Sequence, residues 1–495
     1  MTPLIQQPYY RIIHYFCYSS VASVLNFGDI SESPPFRIHT ALSSGRSLWE
    51  NYLIEIGSSG EDLIIVLKKP GDLKRNPTGG TAGQIPCNFL WGVATSAFQL
   101  EGSPHADWTT WDESLRSKPD VTHHYTLYKK DLNLLRELGV NAYRFSIEWS
   151  RIQPAEHRWD MEALRHYQDI VDILQREDIE PVVTLHHFTH PRWFLEKYPW
   201  HEDRSVQKFL VYVEKVVSTL RGVRYWITFN EPYVLLLGGY LDGSMPPGLR
   251  EIPLAVKALR HILIAHSQIY GILHSADQNA RVGVAHNMAA IAPCRSWHPF
   301  DRIVSRVAMF FYNHSLVDAL LTGTLRIKFP FRKEIRLNIP IQGKLDFMGV
   351  NYYTRVHLRF NPFKKMVVEL RHRDTDGHGL TDTGWEVHPR GLEKILRYAS
   401  KLKVPIFITE NGIATSDDQK KIKFIKGHVD ALKGCVENGI DVRGYFYWTL
   451  IDNYEWLKGF DARFGLYAVD FSTYERKPTL SATYYSYLIK KNSES

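Results

Sequence analysis

The chain has 495 residues, 44% hydrophobic and 23% charged, a composition that excludes a disordered or fibrous protein and fits a soluble globular one. Its net charge is +7, from 60 Lys and Arg against 53 Asp and Glu, and the two signs are interleaved without basic runs. That distribution argues against a nucleic-acid surface.

The N-terminus leans apolar over residues 9–27. Arg11, His14 and several Ser and Tyr interrupt that stretch, and no basic segment precedes it. It is a poor signal peptide and too polar for a membrane span, and no later segment is long and apolar enough to span a bilayer. Cys17, Cys87, Cys294 and Cys435 are far apart and make no CxxC pair, so neither a zinc site nor a disulfide framework follows. Together these features predict a cytoplasmic protein. Two short runs, 51–56 and 62–67, have strand character and could pair. Residues 70–86, PGDLKRNPTGGTAGQIP, read as a linker. The expected division is an N-terminal extension with linker, 1–84, and a catalytic domain, 85–495. The extension carries no residue that the domain needs.

After the linker, short β-branched runs alternate with stretches of helical period. The predicted strands are 89–95, 141–147, 181–188, 224–230, 281–287, 346–353, 405–411 and 442–450. Between them the helical pattern is legible in Tyr128, Leu132 and Leu135, with Gly139 at the expected C-terminal cap, and again in Leu164, Tyr167, Val171 and Leu174. Eight strand–helix alternations point to an α/β fold, a closed (β/α)8 barrel of the TIM type in a single catalytic domain. An open doubly wound sheet calls for a GxGxxG turn after its first strand, and none is present. A barrel places chemistry at the C-terminal ends of its strands.

The ends of the fourth and seventh strands carry Asn230-Glu231-Pro232 and Glu410-Asn411-Gly412. A carboxylate closing an apolar strand needs a partner or a task. Taken singly, each reads as half of a salt bridge. As a pair across one barrel mouth they match the two acids of glycosidic bond cleavage, one protonating the leaving oxygen while the other attacks or activates water.

With these residues in view, FLWGVATSAFQLEG (89–102), YRFSIEWSR (143–151), TFNEP (228–232), TENG (409–412) and YWTLIDNYEW (447–456) resemble the family 1 glycoside hydrolases, in the family's order, over about residues 85–488. The resemblance implies a retaining, exo-acting β-glycosidase with Glu231 as acid/base and Glu410 as nucleophile. It implies that Arg144, placed at the end of strand two, holds Glu410 ionised and that Tyr353 donates its hydroxyl to Glu410. It assigns Gln99, His187, Asn230, Asn351, Glu455 and Trp456 to the sugar hydroxyls and Trp448 to the floor of the sugar site. Of the doublet His186-His187, the second aligns better with the family pattern. A shared metal is disfavoured because adjacent strand residues face opposite sides.

Glu455 argues for a neutral glucoside or galactoside, since a carboxylate there repels a 6-phosphate. The implied partner is a small-molecule β-glycoside or oligosaccharide, with no cofactor, metal, nucleic acid or membrane. The segment 288–345 is short for the family, which leaves the outer subsites open. Other classes remain as alternatives: a glycosidase-like sugar-binding protein without catalysis, or a metal-dependent barrel enzyme, which needs several His, Asp or Glu ligands around one ion.

Overall fold

The structure, a computed structural model, describes residues 53–59, 62–68, 85–115, 120–329, 333–364 and 366–493. The stretch 9–27 and the linker up to residue 84 lie outside the described residues. Within the N-terminal unit, Leu53–Ser59 and Asp62–Lys68 pair antiparallel with Ser59 opposite Asp62. These are the two runs expected to pair, each extended at its C-terminal end.

The remaining unit is a closed barrel of eight parallel strands in sequential order. They are β1 (Leu90–Ala94), β2 (Ala142–Ser146), β3 (Glu180–Thr184), β4 (Tyr225–Asn230), β5 (Arg281–Asn287), β6 (Phe347–Asn351), β7 (Ile406–Asn411) and β8 (Val442–Trp448). All eight expected strands are present, and most are shorter than their apolar runs. The third stops at Thr184 because the chain turns immediately afterwards: Phe188 takes φ +69° and Thr189 N bonds back to the carbonyl of His187.

The helices follow their period. In Met161–Arg176, Leu164, Tyr167, Val171 and Leu174 are all buried, and Asp160 caps the helix by accepting from the backbone N–H of Glu162 and Ala163. His124–Leu138 ends at Gly139, whose φ of +71° suits glycine in a left-handed cap.

Large rings and small residues alternate inside the barrel. Phe347, Phe407 and Phe446 pack among Ala94, Ala142, Val182, Ile227 and Ala285. Glycine is required opposite two of the rings: a Cβ on Gly92 or Gly283 would lie 2.5 Å from Phe446 or Phe347. This packed interior closes the barrel beneath its C-terminal end. Beyond β5 and β6 the chain adds a small parallel-plus-antiparallel sheet, Ala290–Pro293 with Arg355–Phe360 and Val368–Arg371, packed against helix Pro299–Met309.

Candidate active site

A pocket opens at the C-terminal end of the barrel, lined by residues at the ends of β4, β5, β7 and β8 and by the segments after β1, β3, β4, β5, β6 and β8. Glu231 follows the last residue of β4, in a left-handed conformation (φ 46°, ψ 59°) that costs a non-glycine residue about 1–3 kcal/mol. The surroundings enforce it. Glu231 N donates to Ala285 O at 2.7 Å, and Pro232 begins the helix that follows. Phe188 and Trp456, also on the pocket wall, share this left-handed region.

Glu410 lies within β7, on the opposite wall. Arg144 Nη1 donates to its Oε1 at 2.6 Å and Tyr353 Oη to its Oε2 at 2.6 Å. Arg144 is fully buried. It sits third among the five residues of β2 rather than at the strand end, sharing an inward face with Ala142, whose small side chain leaves room for the guanidinium. Its other bonds go to Thr409 O at 2.9 Å, Asn230 Oδ1 at 2.7 Å and Thr184 Oγ1 at 3.3 Å.

Glu231 has neutral partners. Asn351 Nδ2 donates to its Oε1 at 2.7 Å and Asn287 Nδ2 to the same oxygen at 2.9 Å. With two donors on Oε1, the carboxyl proton belongs on Oε2. Burial, and then the neighbouring charge of Glu410, push its pKa up to about 8. Burial raises Glu410 as well, but the charge of Arg144 and hydrogen bonds from Tyr353, Arg144 and Asn351 oppose it. The environments therefore push the two acids apart, with Glu231 favoured in its protonated form and the ionised form of Glu410 supported by a cation, a division suited to acid and nucleophile.

The remaining predicted residues gather around this pair. Asn230 Nδ2 donates to His187 Nε2 at 3.1 Å, so the neutral ring carries its proton on Nδ1. Burial and the charge of Arg144 hold His187 well below its ordinary pKa. Gln99 Nε2 donates to Tyr454 O at 2.8 Å. His187 Nδ1 and Gln99 Oε1 are both buried without a hydrogen-bond partner. Such groups are costly to leave unmade, and a donor and an acceptor on one cavity wall suit a hydroxylated ligand. Trp448 Nε1 donates to Glu455 Oε1 at 3.0 Å, and burial lifts Glu455 well above the usual carboxylate range. Trp456 stacks on Phe98 at 5.9 Å.

His187 faces the cavity, whereas His186 packs among Trp200, Phe209 and Phe229 and reaches His190 Nε2 at 3.0 Å. Both lie beyond the last residue of β3, where backbone bonds to β4 still run through Leu185 and His186, and the two rings face opposite sides. Among the described residues no group of three or more His, Cys, Asp or Glu could hold a metal ion.

Sequence reasoning missed several wall residues. Asn287 closes β5, and the strand-end rule that singled out the glutamates would have found it. Trp385 and Phe464 also line the cavity, from loops that carry no periodic signal.

Residues 81–494 match the profile of glycosyl hydrolase family 1. Beta-glucosidase A of Thermotoga maritima is 32% identical over 443 residues, covering 83% of this chain and 98% of the relative. A beta-galactosidase of Pyrococcus woesei is 29% identical over 80% of this chain and 94% of its own length. Among solved structures, a beta-glycosidase from Pyrococcus horikoshii superposes with a TM-score of 0.77 at 37% identity, covering 83% of this chain and 96% of that one. The Thermotoga maritima beta-glucosidase in complex with deoxynojirimycin superposes with a TM-score of 0.74 at 30% identity.

Proposed function

The chain belongs to glycosyl hydrolase family 1, and from that premise we propose that it removes single neutral sugars from β-D-glucosides, and from β-D-galactosides, with retention of configuration. It is a glycoside hydrolase of the β-glucosidase type. The observation that carries the mechanistic reading is the unequal support of the two buried acids, a guanidinium and a phenol on Glu410 against two amides on one oxygen of Glu231.

In the first step the Glu410 carboxylate attacks the anomeric carbon. The bond to the leaving oxygen breaks, and that oxygen takes the proton from Glu231. In the second, Glu231, now a carboxylate, takes a proton from water, which attacks the same carbon from the opposite face and frees Glu410. Gln99, His187, Asn230, Asn351, Glu455 and Trp456 grip the sugar hydroxyls, and Trp448 lies under the ring. These positions are supported by the unpartnered Nδ1 of His187 and Oε1 of Gln99. Side chains supply both the proton and the nucleophile, so no cofactor enters the reading. A cytoplasmic setting belongs to it too, in keeping with the free thiols of Cys87, Cys294 and Cys435.

A panel of nitrophenyl glycosides tests the substrate class. We expect turnover of the β-D-glucoside and β-D-galactoside, and weak turnover of a β-glucoside bearing a 6-phosphate, which buried Glu455 disfavours. Preference for the phosphorylated sugar overturns the role given to Glu455.

A further inference from the structure

Four of the nine large apolar side chains exposed among the described residues fall on two adjoining segments: Trp297, Phe300 and Ile303 at the start of one helix and Phe363 at the tip of the hairpin beside it, with Trp297 75% and Phe363 96% exposed. Exposed Trp and Phe so close together call for an explanation, whereas single exposed apolar residues do not. The patch crowns helix Pro299–Met309 and the tip of the hairpin formed by Arg355–Phe360 and Val368–Arg371. Phe300 stacks on Phe360 at 5.0 Å, and Phe360 N donates to Asp301 Oδ1 at 2.9 Å, which ties the start of the helix to the hairpin end. This subassembly closes its own core with Val304, Val356, Leu358 and Leu370. The exposed rings are not needed there.

Charge decides what could cover them. The helix buries Asp301, Val304 and Ser305, and exposes Arg302 and Arg306 one turn apart on either side of Ile303. Neither arginine has an ion-pair partner among the described residues. A second copy meeting this face across a two-fold axis would bring the same arginines near one another. A negatively charged bilayer surface accepts the whole pattern: rings enter the headgroup boundary while arginines reach phosphates from its edge. Cytoplasmic leaflets carry that charge. No described helix is long and apolar enough to cross a membrane, so such a contact is one-sided.

The patch also stands at the working end of the barrel. Thr354 lines the cavity, and Arg355–Phe360 runs directly from it, about 20 Å at roughly 3.3 Å per residue. We propose that this patch seats the protein on an anionic lipid surface, at the same end of the barrel as the pocket mouth.

Flotation of the full-length chain with vesicles tests this. The protein is expected to float at low salt with vesicles containing phosphatidylserine, to stay behind with phosphatidylcholine alone, and to be released as salt is raised. Trp297→Ser/Phe363→Ser and Arg302→Glu/Arg306→Glu should each lower the bound fraction by about tenfold or more. Melting temperature and hydrolysis of a soluble nitrophenyl β-glucoside should stay unchanged. The proposal is overturned if the unmodified chain does not float with phosphatidylserine, or if both variants float as well as it does. A dimer in sedimentation that the Trp297/Phe363 variant abolishes would assign the face to a second copy instead. Flotation needs no turnover, so an inactive protein that still floats sinks the catalytic reading and leaves this one standing.

Discussion

Two walls of one cavity carry two glutamates that are almost equally buried, 5% exposed for Glu231 and 3% for Glu410. Burial raises both, so burial alone cannot separate their roles. Their partners can. The wall of β7 receives a full positive charge from Arg144 and the Tyr353 hydroxyl, one on each carboxylate oxygen. The wall of β4 offers amides that bond a neutral or a charged carboxyl, both on Oε1. A charged partner rewards ionisation far more than a neutral one does, so the same desolvation that lifts Glu231 to about 8 is opposed at Glu410 by the charge of Arg144 and the hydrogen bond from Tyr353. Glu148 shows that a raised pKa is not sufficient to mark the site. Burial lifts it to about 7, yet its bonds to Ser150 and Thr189 hold it outside the cavity.

The contrast between the walls can be broken most severely at Glu410. Glu410→Gly should cut turnover by on the order of 10⁴-fold or more for every leaving group, because no covalent intermediate can form. Azide should then attack directly and give the α-azide.

Glu231→Ala should cost about 10²- to 10⁴-fold with leaving groups that need protonation. A dinitrophenyl glycoside should still form the intermediate, which then accumulates for want of a base and is rescued by azide as the β-azide. Proton NMR of the two azide products decides between the walls, and exchanged anomers would mean exchanged roles.

Tyr353→Phe should lower kcat/KM by about tenfold and act through pH. Losing a donor to the charged form raises the pKa of Glu410, which must be ionised to attack. Burial already raises Glu410 from its ordinary value, and the acidic limb of the profile should therefore move to still higher pH. An unmoved acidic limb would show that Tyr353 does not tune Glu410.

The smallest change belongs to Asn287→Ala. The basic limb should fall near pH 8 in the unaltered protein, where Glu231 loses the proton it must donate. Asn287 favours the charged form of Glu231, so its removal should move that limb slightly upward and leave turnover near pH 6 almost intact. A downward shift would break the link between Glu231 and the basic limb.

All eight strands were legible in the sequence because a barrel strand buried on both faces is a local apolar run, whatever it pairs with. Glu231, Glu410 and the pocket-lining Asn230, Trp448, Glu455 and Trp456 were legible because TFNEP, TENG and YWTLIDNYEW are local strings. The described residues of 288–345 hold a strand, two α-helices joined by the π-helical segment Phe310–His314, and a hairpin, whose arrangement no periodicity disclosed. Asn287, Trp385 and Phe464 became wall residues only when the barrel closed and brought the strand end and two loops to one mouth. The partnership of Arg144 with Glu410 spans 266 positions along the chain. The difference between the two acids depends on burial and on charges reached through space, quantities that no stretch of sequence contains. Residue identity could nominate two carboxylates, but only the packed barrel gives one of them a guanidinium and lifts the pKa of the other to about 8.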